Sequence, residues 1–227
     1  MIDKTVRSMA EAMAGIADGA TVLVGGFGAV GQPNALIDGL IEQGAKDLVI
    51  VANNAGVGHT GLARLMELER VAKIVCSFPR SSDPIVFETL YRAGKIELEI
   101  VPQGTLAARI HAAGAGIPLF FTATGVGTKM AMGKETREID GRMYVGEKAL
   151  HGDVALVEAW EADRWGNLTF RKSGRNFNPV MAMGGKLTIV QTQHLRRLGE
   201  IDPDHVHTPG IFVNRVLHVP YGDPTGF

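Results

Sequence analysis

Between Thr21 and Thr124 the chain repeats one pattern: a short apolar run, a glycine, proline or asparagine stop, then a helical stripe. TVLVGG (21–26), DLVIVA (47–52), AKIVCSF (72–78), IELEIVPQG (96–104) and PLFFTAT (118–124) read as strands, rich in branched apolar residues. The segments between them read as helices. In PNALIDGLIEQG, Pro33 suits a first turn, Leu36, Ile37, Leu40 and Ile41 form one stripe, and Gly44 suits the C-terminal cap. LARLMELE and TLAARIHAAG are shorter stripes, and SDPIVFETLYRAG has Asp83 to cap, Pro84 for the first helical position and Gly94 as a stop. Strands joined by helices of this length pair in parallel, because an antiparallel neighbour needs only a tight turn. This constrains the fold to the α/β class: a mostly parallel sheet with flanking helices.

Past residue 125 the texture changes. REIDGRMYV (137–145) predicts a hairpin turning at Asp140-Gly141, and EADRWG predicts a second turn between DVALVEAW and NLTF. KLTIVQT (186–192) and GIFVNRVLHV (210–219) are late strands. The second half is therefore expected to supply antiparallel additions to the same sheet. One domain over residues 1–217 with a C-terminal tail at 218–227 is the expected organisation.

The balance of 23 basic and 24 acidic side chains gives a net charge of −1, so no excess of positive charge points to nucleic acid. No run of about 18 apolar residues predicts a membrane span. The first residues carry charges and no apolar stretch, so no secretory signal is expected there. Cys76 is the single cysteine and has no disulfide partner within the chain. A cytoplasmic protein is the expectation. The histidines are scattered, and the HVH pair at 205–207 has no cysteine pair or second motif beside it, so no metal site is expected.

The loop TVLVGGFGAVGQP holds Gly26, Gly28 and Gly31 in G-x-G-x-x-G spacing between a strand and a helix. Glycines there let backbone N–H groups approach an anion, and the helix start adds a positive dipole end. A dinucleotide reading needs an acid at the end of the next strand to hold the ribose. That strand ends instead in VANNAG, with Asn53 and Asn54, and Pro33 removes one N–H from the helix start. An NAD-dependent oxidoreductase is thus the alternative reading, and a plain tight turn accounts for the glycines equally.

Three further strand ends carry polar residues, where open α/β sheets bind ligands. Asn53 and Asn54 are neutral donors for a carbonyl or carboxylate, or Asx-turn residues. Gln103 in VPQG is not a typical turn residue, so an amide role is its stronger reading. Arg80, in SFPRSSDP, can pair with a carboxylate or phosphate or stand solvated. Arg171, Lys172 and Arg175 form a small basic cluster that either meets phosphates or faces solvent. Cys76 lies in an apolar strand and reads as a small buried hydrophobe. No glutamate stands out as a nucleophile. Glu147 in VGEKAL is the nearest candidate, and a strand-edge carboxylate accounts for it.

Taken together, DGATVLVGGFGAVGQP (18–33), NNAG (53–56), VPQGTLAARIHAAGAG (101–116), GKETREIDGR (133–142), DRWGNLTFRKSGRNFNP (163–179) and TPGIFV (208–213) resemble, in order, the A (alpha) subunits of the 3-oxoacid CoA-transferases of family I. The resemblance runs to about Val216, and CSFPR and DRWGNLT look most like members acting on 3-oxoadipate. It implies the α/β fold shared with ribose-5-phosphate isomerase. It implies CoA transfer from succinyl-CoA to a 3-oxoacid, 3-oxoadipate first and acetoacetate or another short acid as the alternative. It also implies a partner, the B (beta) subunit, carrying the nucleophilic glutamate, acyl-CoA and carboxylic acids as substrates, and no resident cofactor. By the same resemblance the glycine loop, Gly25, Gly26, Phe27, Gly28, Ala29, Val30 and Gly31, contacts coenzyme A. Gln103 is the amide near the reacting carbonyl, Asn53 and Asn54 contact substrate, and Arg80 would meet a distal carboxylate.

Overall fold

Val22 and Val24 face one side of the main sheet while Leu23 faces the other, and the same alternation sends Ile74 and Cys76 one way and Val75 the other. That period of two, buried on both faces, is what a parallel sheet between two helical layers requires. The structure, a computed structural model, describes residues 2–80 and 82–220.

The chain runs β1 (Thr5–Val6), α1 (Met9–Met13), β2 (Thr21–Val24), α2 (Asn34–Gln43), β3 (Leu48–Val51), α3 (Leu62–Glu67), β4 (Val71–Cys76), α4 (Ile85–Arg92), β5 (Glu97–Ile100) and α5 (Gln103–Gly114). It continues with β6 (Leu119–Thr122), β7 (Thr136–Ile139), β8 (Arg142–Lys148), β9 (Gly152–Asp163), β10 (Leu168–Thr169), α6 (Asn178–Gly184), β11 (Gly185–Arg196) and β12 (Arg215–His218). The main sheet has the order β1-β12-β11-β9-β2-β3-β4-β5, every neighbouring pair parallel, and β10 lies antiparallel against the end of β9. One core, with Met13, Leu36, Leu40 and Leu65, joins α1 to α4 to one face. The other, with Leu106, Ile110, Phe177 and Met181, joins α5 and α6 to the opposite face.

The α/β class and the parallel sheet stand as expected, and the second half departs from its reading. The expected turn between DVALVEAW and NLTF is present, joining β9 to the short antiparallel β10, but β9, β11 and β12 pair with one another in parallel as members of the main sheet, β11 matching β9 from Gly185↔Gly152 to Arg196↔Asp163. The other antiparallel pairing lies in a separate sheet, β6-β8-β7, which takes in PLFFTAT as β6 although it reads as the last strand of the parallel run. Its hairpin turns where the sequence places it: Asp140 and Gly141 have φ of 50° and 74°, as the tightest two-residue turn demands. Of GIFVNRVLHV only Arg215–His218 is strand, because Gly210–Phe212 coils into a single 3₁₀ turn. Asp83 does not cap α4, whose N-cap is Pro84 with no side-chain bond. The sheet also takes in the first residues of the expected tail, since β12 reaches His218 and the Val219 N–H donates to the Thr192 carbonyl. Residues 221–227 lie outside the described residues.

A chain of charges ties the small sheet to the main one. Lys73 pairs with Glu99 at 2.7 Å, Glu99 with Arg109 at 3.4 Å, and Arg109 and Lys134 flank Glu147 at 3.9 and 2.6 Å. Burial pulls the Glu99 carboxyl up, but the Lys73 hydrogen bond and charge, with Arg109 behind them, hold it below the usual carboxylate range. No helix of the described residues is long and apolar enough to cross a membrane.

Candidate functional site

After β2 the chain order reverses: β3, β4 and β5 build outward on one side, β9, β11 and β12 on the other. Open parallel sheets bind ligands at such a switch point, beyond the carboxyl ends of the strands. The glycine loop lies there. Phe27 and Val30 bond to each other's backbones, N–H to carbonyl, at 2.9 and 3.2 Å, and Gly28 takes a φ of 61° at the tip. Phe27 and Ala29 are exposed.

Much of the loop's glycine content serves the protein rather than a ligand. Asn178, fully buried, accepts from the Glu158 N–H and donates to the carbonyls of Gly31 and Gly174, each at 2.9 Å. A Cβ on Gly25 would overlap its Oδ1. Asn176 donates to the Val30 carbonyl at 3.0 Å. The start of α2 is also engaged, since the buried Gln191 accepts the Leu36 N–H at 3.1 Å. An N–H that a dinucleotide pyrophosphate would need there already has a partner.

On the β3 side of the loop, two of the expected amides meet. Gln103, the first residue of α5, donates its Nε2 to Asn53 Oδ1 at 2.7 Å. Ser77, just past β4, donates to the same oxygen at 2.8 Å. Asn53 is 4 % exposed, and its Nδ2 has no partner among the described residues. With both donors on Oδ1, the Asn53 amide is fixed in orientation and its N–H₂ is left for another acceptor. Asn54 behaves differently: its Oδ1 accepts the Gly56 N–H at 2.9 Å, an Asx turn, and its Nδ2 reaches the Gly28 carbonyl only at 3.5 Å. The two asparagines, indistinguishable in sequence, thus divide between a presented amide and a turn.

The remaining candidates lie apart from this pair. Arg80 is 69 % exposed along its side chain and pairs with Glu88 of α4 at 2.9 Å, a carboxylate also held by Arg92. Glu147 is buried between Lys134 and Arg109. Cys76 is buried, and desolvation pushes its thiol up to about 12, despite a hydrogen bond from the Phe78 backbone, so it is an inert core residue. Among the described residues no three histidines, cysteines or acids converge as a metal site.

A cleft of about 370 Å³ opens on the other side of the glycine loop, between it and the carboxyl ends of β9 and β11. Glu158, Trp160 and Gln193 line it from the sheet, and Phe170, Arg171 and Lys172 from the segment after β10. The Arg171 guanidinium lies 4.6 Å from the centre of the Trp160 ring. The sequence pointed to the basic residues here but not to Ser77, Asn178, Gln191 or Gln193. The first three are ordinary polar residues until the fold brings their distant partners beside them.

Residues 6–218 match the coenzyme A transferase family. The chain is 62 % identical over 219 residues to the A (alpha) subunit of 3-oxoadipate CoA-transferase of Pseudomonas putida, covering 96 % of this chain and 95 % of that one. It is 50 % identical over 214 residues to the A (alpha) subunit of a probable succinyl-CoA:3-ketoacid coenzyme A transferase of Bacillus subtilis, covering 94 % and 89 %. Among solved structures, an acyl-CoA transferase of E. coli O157:H7 superposes with a TM-score of 0.83 at 24 % identity, covering 97 % of this chain and 48 % of that one. This chain therefore spans about half of that protein. Glutaconate coenzyme A-transferase of Acidaminococcus fermentans also gives 0.83, at 22 % identity, covering 96 % and 76 %. These two likenesses concern the fold.

Proposed function

The chain belongs to the coenzyme A transferase family, and on that premise we propose that it is the alpha subunit of an enzyme that moves CoA from succinyl-CoA to a 3-oxoacid, 3-oxoadipate before acetoacetate. The observation that carries this reading is the likeness to the 3-oxoadipate CoA-transferase alpha subunit along nearly the whole of both chains. The NAD alternative has no support from that likeness, nor from a β3 end that offers amides instead of an acid.

In this reading a glutamate of the beta subunit attacks the succinyl-CoA thioester. The C–S bond breaks, the CoA thiolate leaves, and a succinyl-glutamyl anhydride forms. The thiolate then attacks the glutamyl carbonyl, which frees succinate and leaves CoA as a thioester on the glutamate. The acceptor carboxylate attacks that thioester, releases the thiolate and forms a new mixed anhydride. The thiolate attacks the acyl carbonyl of this anhydride, which yields the new acyl-CoA and restores the glutamate.

Each attack builds negative charge on a carbonyl oxygen, and this chain's part is to meet it. The Nδ2 of Asn53 and the remaining Nε2 hydrogen of Gln103 are donors suited to that oxygen. One such donor is worth about 3 kcal/mol in a water-poor site. Asn54 shapes the loop that carries Asn53, the tip at Phe27–Ala29 with Val30 borders the coenzyme, and Arg80 meets the distal carboxylate of a dicarboxylate acceptor after leaving Glu88.

The test is transfer by the chain co-expressed with its beta subunit, using succinyl-CoA with 3-oxoadipate and with acetoacetate. Formation of the corresponding 3-oxoacyl-CoA is the expected result, with borohydride reducing the glutamyl-CoA thioester on the beta subunit to an alcohol and releasing CoA. No transfer to either acid would overturn the reading.

A further inference from the structure

An asparagine amide has an acceptor at one end and a donor at the other, and half a turn about its last bond exchanges them with little change in shape. The end that faces a reacting carbonyl matters: Nδ2 donates to the oxygen as it gains charge, whereas Oδ1 would repel it. Asn54 is fixed from within its own turn, by the Gly56 N–H. Asn53 is fixed from outside, by Gln103 and Ser77, and these two do not contribute alike.

The Gln103 contact does not choose an end. A glutamine amide reverses as readily as an asparagine, so Nε2 on Oδ1 and Nδ2 on Oε1 are equally good bonds. Ser77 breaks that symmetry. Its Oγ lies 2.8 Å from Asn53 Oδ1 and 2.9 Å from the Asn53 backbone carbonyl, and it has one hydrogen to give. The carbonyl already accepts two N–H groups, from Ser77 at 3.2 Å and from Phe78 at 3.1 Å, which occupy both its lone pairs. The hydroxyl hydrogen therefore belongs to Oδ1. With the amide reversed, Nδ2 would face Oγ, and the hydroxyl hydrogen would crowd onto that carbonyl as a third donor. Only the orientation with Oδ1 toward Ser77 satisfies every group.

The placement of Ser77 makes this control rigid. It follows β4 directly, between backbone bonds to both segments that carry the amides. The Val75 carbonyl accepts the Ala52 N–H at 3.1 Å, one residue before Asn53. The Cys76 carbonyl accepts the Val101 N–H at 3.0 Å, two residues before Gln103. Val75 and Cys76 are both buried in the main sheet. The hydroxyl and the two amides thus share one frame, the end of β4.

We propose that Ser77 is a positioning residue for the transfer reaction, its hydroxyl holding the Asn53 amide so that Nδ2 and not Oδ1 is offered to the reacting carbonyl. This rests on the CoA-transferase reading and on the donor role of Asn53 within it, and it deepens both. Ser77 acts through Asn53 alone, so its effect belongs to the transition state and not to substrate binding.

Steady-state transfer by the co-expressed complex, with succinyl-CoA and 3-oxoadipate, tests this. Ser77→Ala is expected to lower kcat about tenfold, the usual worth of one hydrogen bond, and to leave the KM for succinyl-CoA unchanged. Ser77→Thr, which keeps a hydroxyl, is expected to hold kcat within about twofold of the native value. In an Asn53→Ala background, Ser77→Ala is expected to cost nothing more, because the group it positions is gone. A native kcat in Ser77→Ala overturns the proposal. So does an equal loss on both backgrounds, which is what general loosening of the β4 end would produce, or a loss carried by KM alone. Each of these leaves the enzymatic reading standing, since the native complex still transfers. No transfer by the native complex overturns that reading, and the positioning role falls with it.

Discussion

Asn178 occupies the space beside Gly25 that any side chain there would need, and from that position it holds Glu158, Gly31 and Gly174 together. The first glycine of the loop is therefore required by a protein amide 153 residues further along the sequence. Gly25→Ala must displace Asn178 and break up to three buried hydrogen bonds, with an expected loss of about 2–4 kcal/mol. Gly28 sits at the open tip with nothing near an added Cβ, so Gly28→Ala meets only its φ of 61°, about 1 kcal/mol. Denaturant midpoints of the two variants check this. Equal losses would show that Asn178 yields without cost.

The Gln103–Asn53 bond makes the two amides one unit, which predicts non-additive kinetics. Gln103→Ala is expected to lower kcat roughly ten- to a thousand-fold, the range for losing an oxyanion donor. Asn53→Ala should fall in the same range, and the double variant should be little worse than the poorer single one, because contacting residues couple. Additive losses would mean that each amide acts on its own atom.

Part of this fold was legible because its information is local. Strand period, the Gly44 stop after α2 and the Asp140-Gly141 turn each lie within a few residues, and each came out where expected. Sheet order is not local. β2 pairs with β9 some 130 residues away, and no stripe in DVALVEAW names that neighbour. The same limit separates the site residues. Gln103 and Asn53 were visible as amides at strand ends, but that they touch depends on β3, β4 and β5 lying side by side. Asn178 and Gln191 acquire meaning only from partners across the switch point, so neither carried a signal of its own.

Arg80 distinguishes acceptors if it serves a distal carboxylate. Its pair with Glu88 is largely exposed, and such pairs contribute little to stability, so releasing it costs little. Arg80→Ala is expected to raise the KM for 3-oxoadipate about tenfold while leaving that for acetoacetate nearly unchanged. Glu88→Gln, which frees the guanidinium, should lower the 3-oxoadipate KM. Equal effects of Arg80→Ala on both acids would remove Arg80 from specificity.

His207 gives the fold a pH dependence separate from that of its carboxylates. Its Nδ1 accepts the Phe170 N–H at 2.9 Å, so the ring must stay neutral there to keep the strand β10 exit in place. Burial, and behind it the charges of Arg175 and His205, hold its pKa below the ordinary imidazole value of 6.5. The unfolded chain therefore takes up this proton more readily than the folded one. The stabilisation is complete above the ordinary imidazole range and is lost as pH falls through it, ending once the lowered folded value is passed. Glu99 and Asp153 are held below their usual values, Asp153 chiefly by the Thr21 N–H, and their contribution is lost only further down, as pH falls through about 4. Melting temperatures from about pH 8 to about pH 5 should fall for the native chain. His207→Gln, whose carbonyl can still accept the Phe170 N–H, should flatten that upper slope and leave the acid loss below it. Parallel profiles for the two proteins would show that His207 does not titrate with folding.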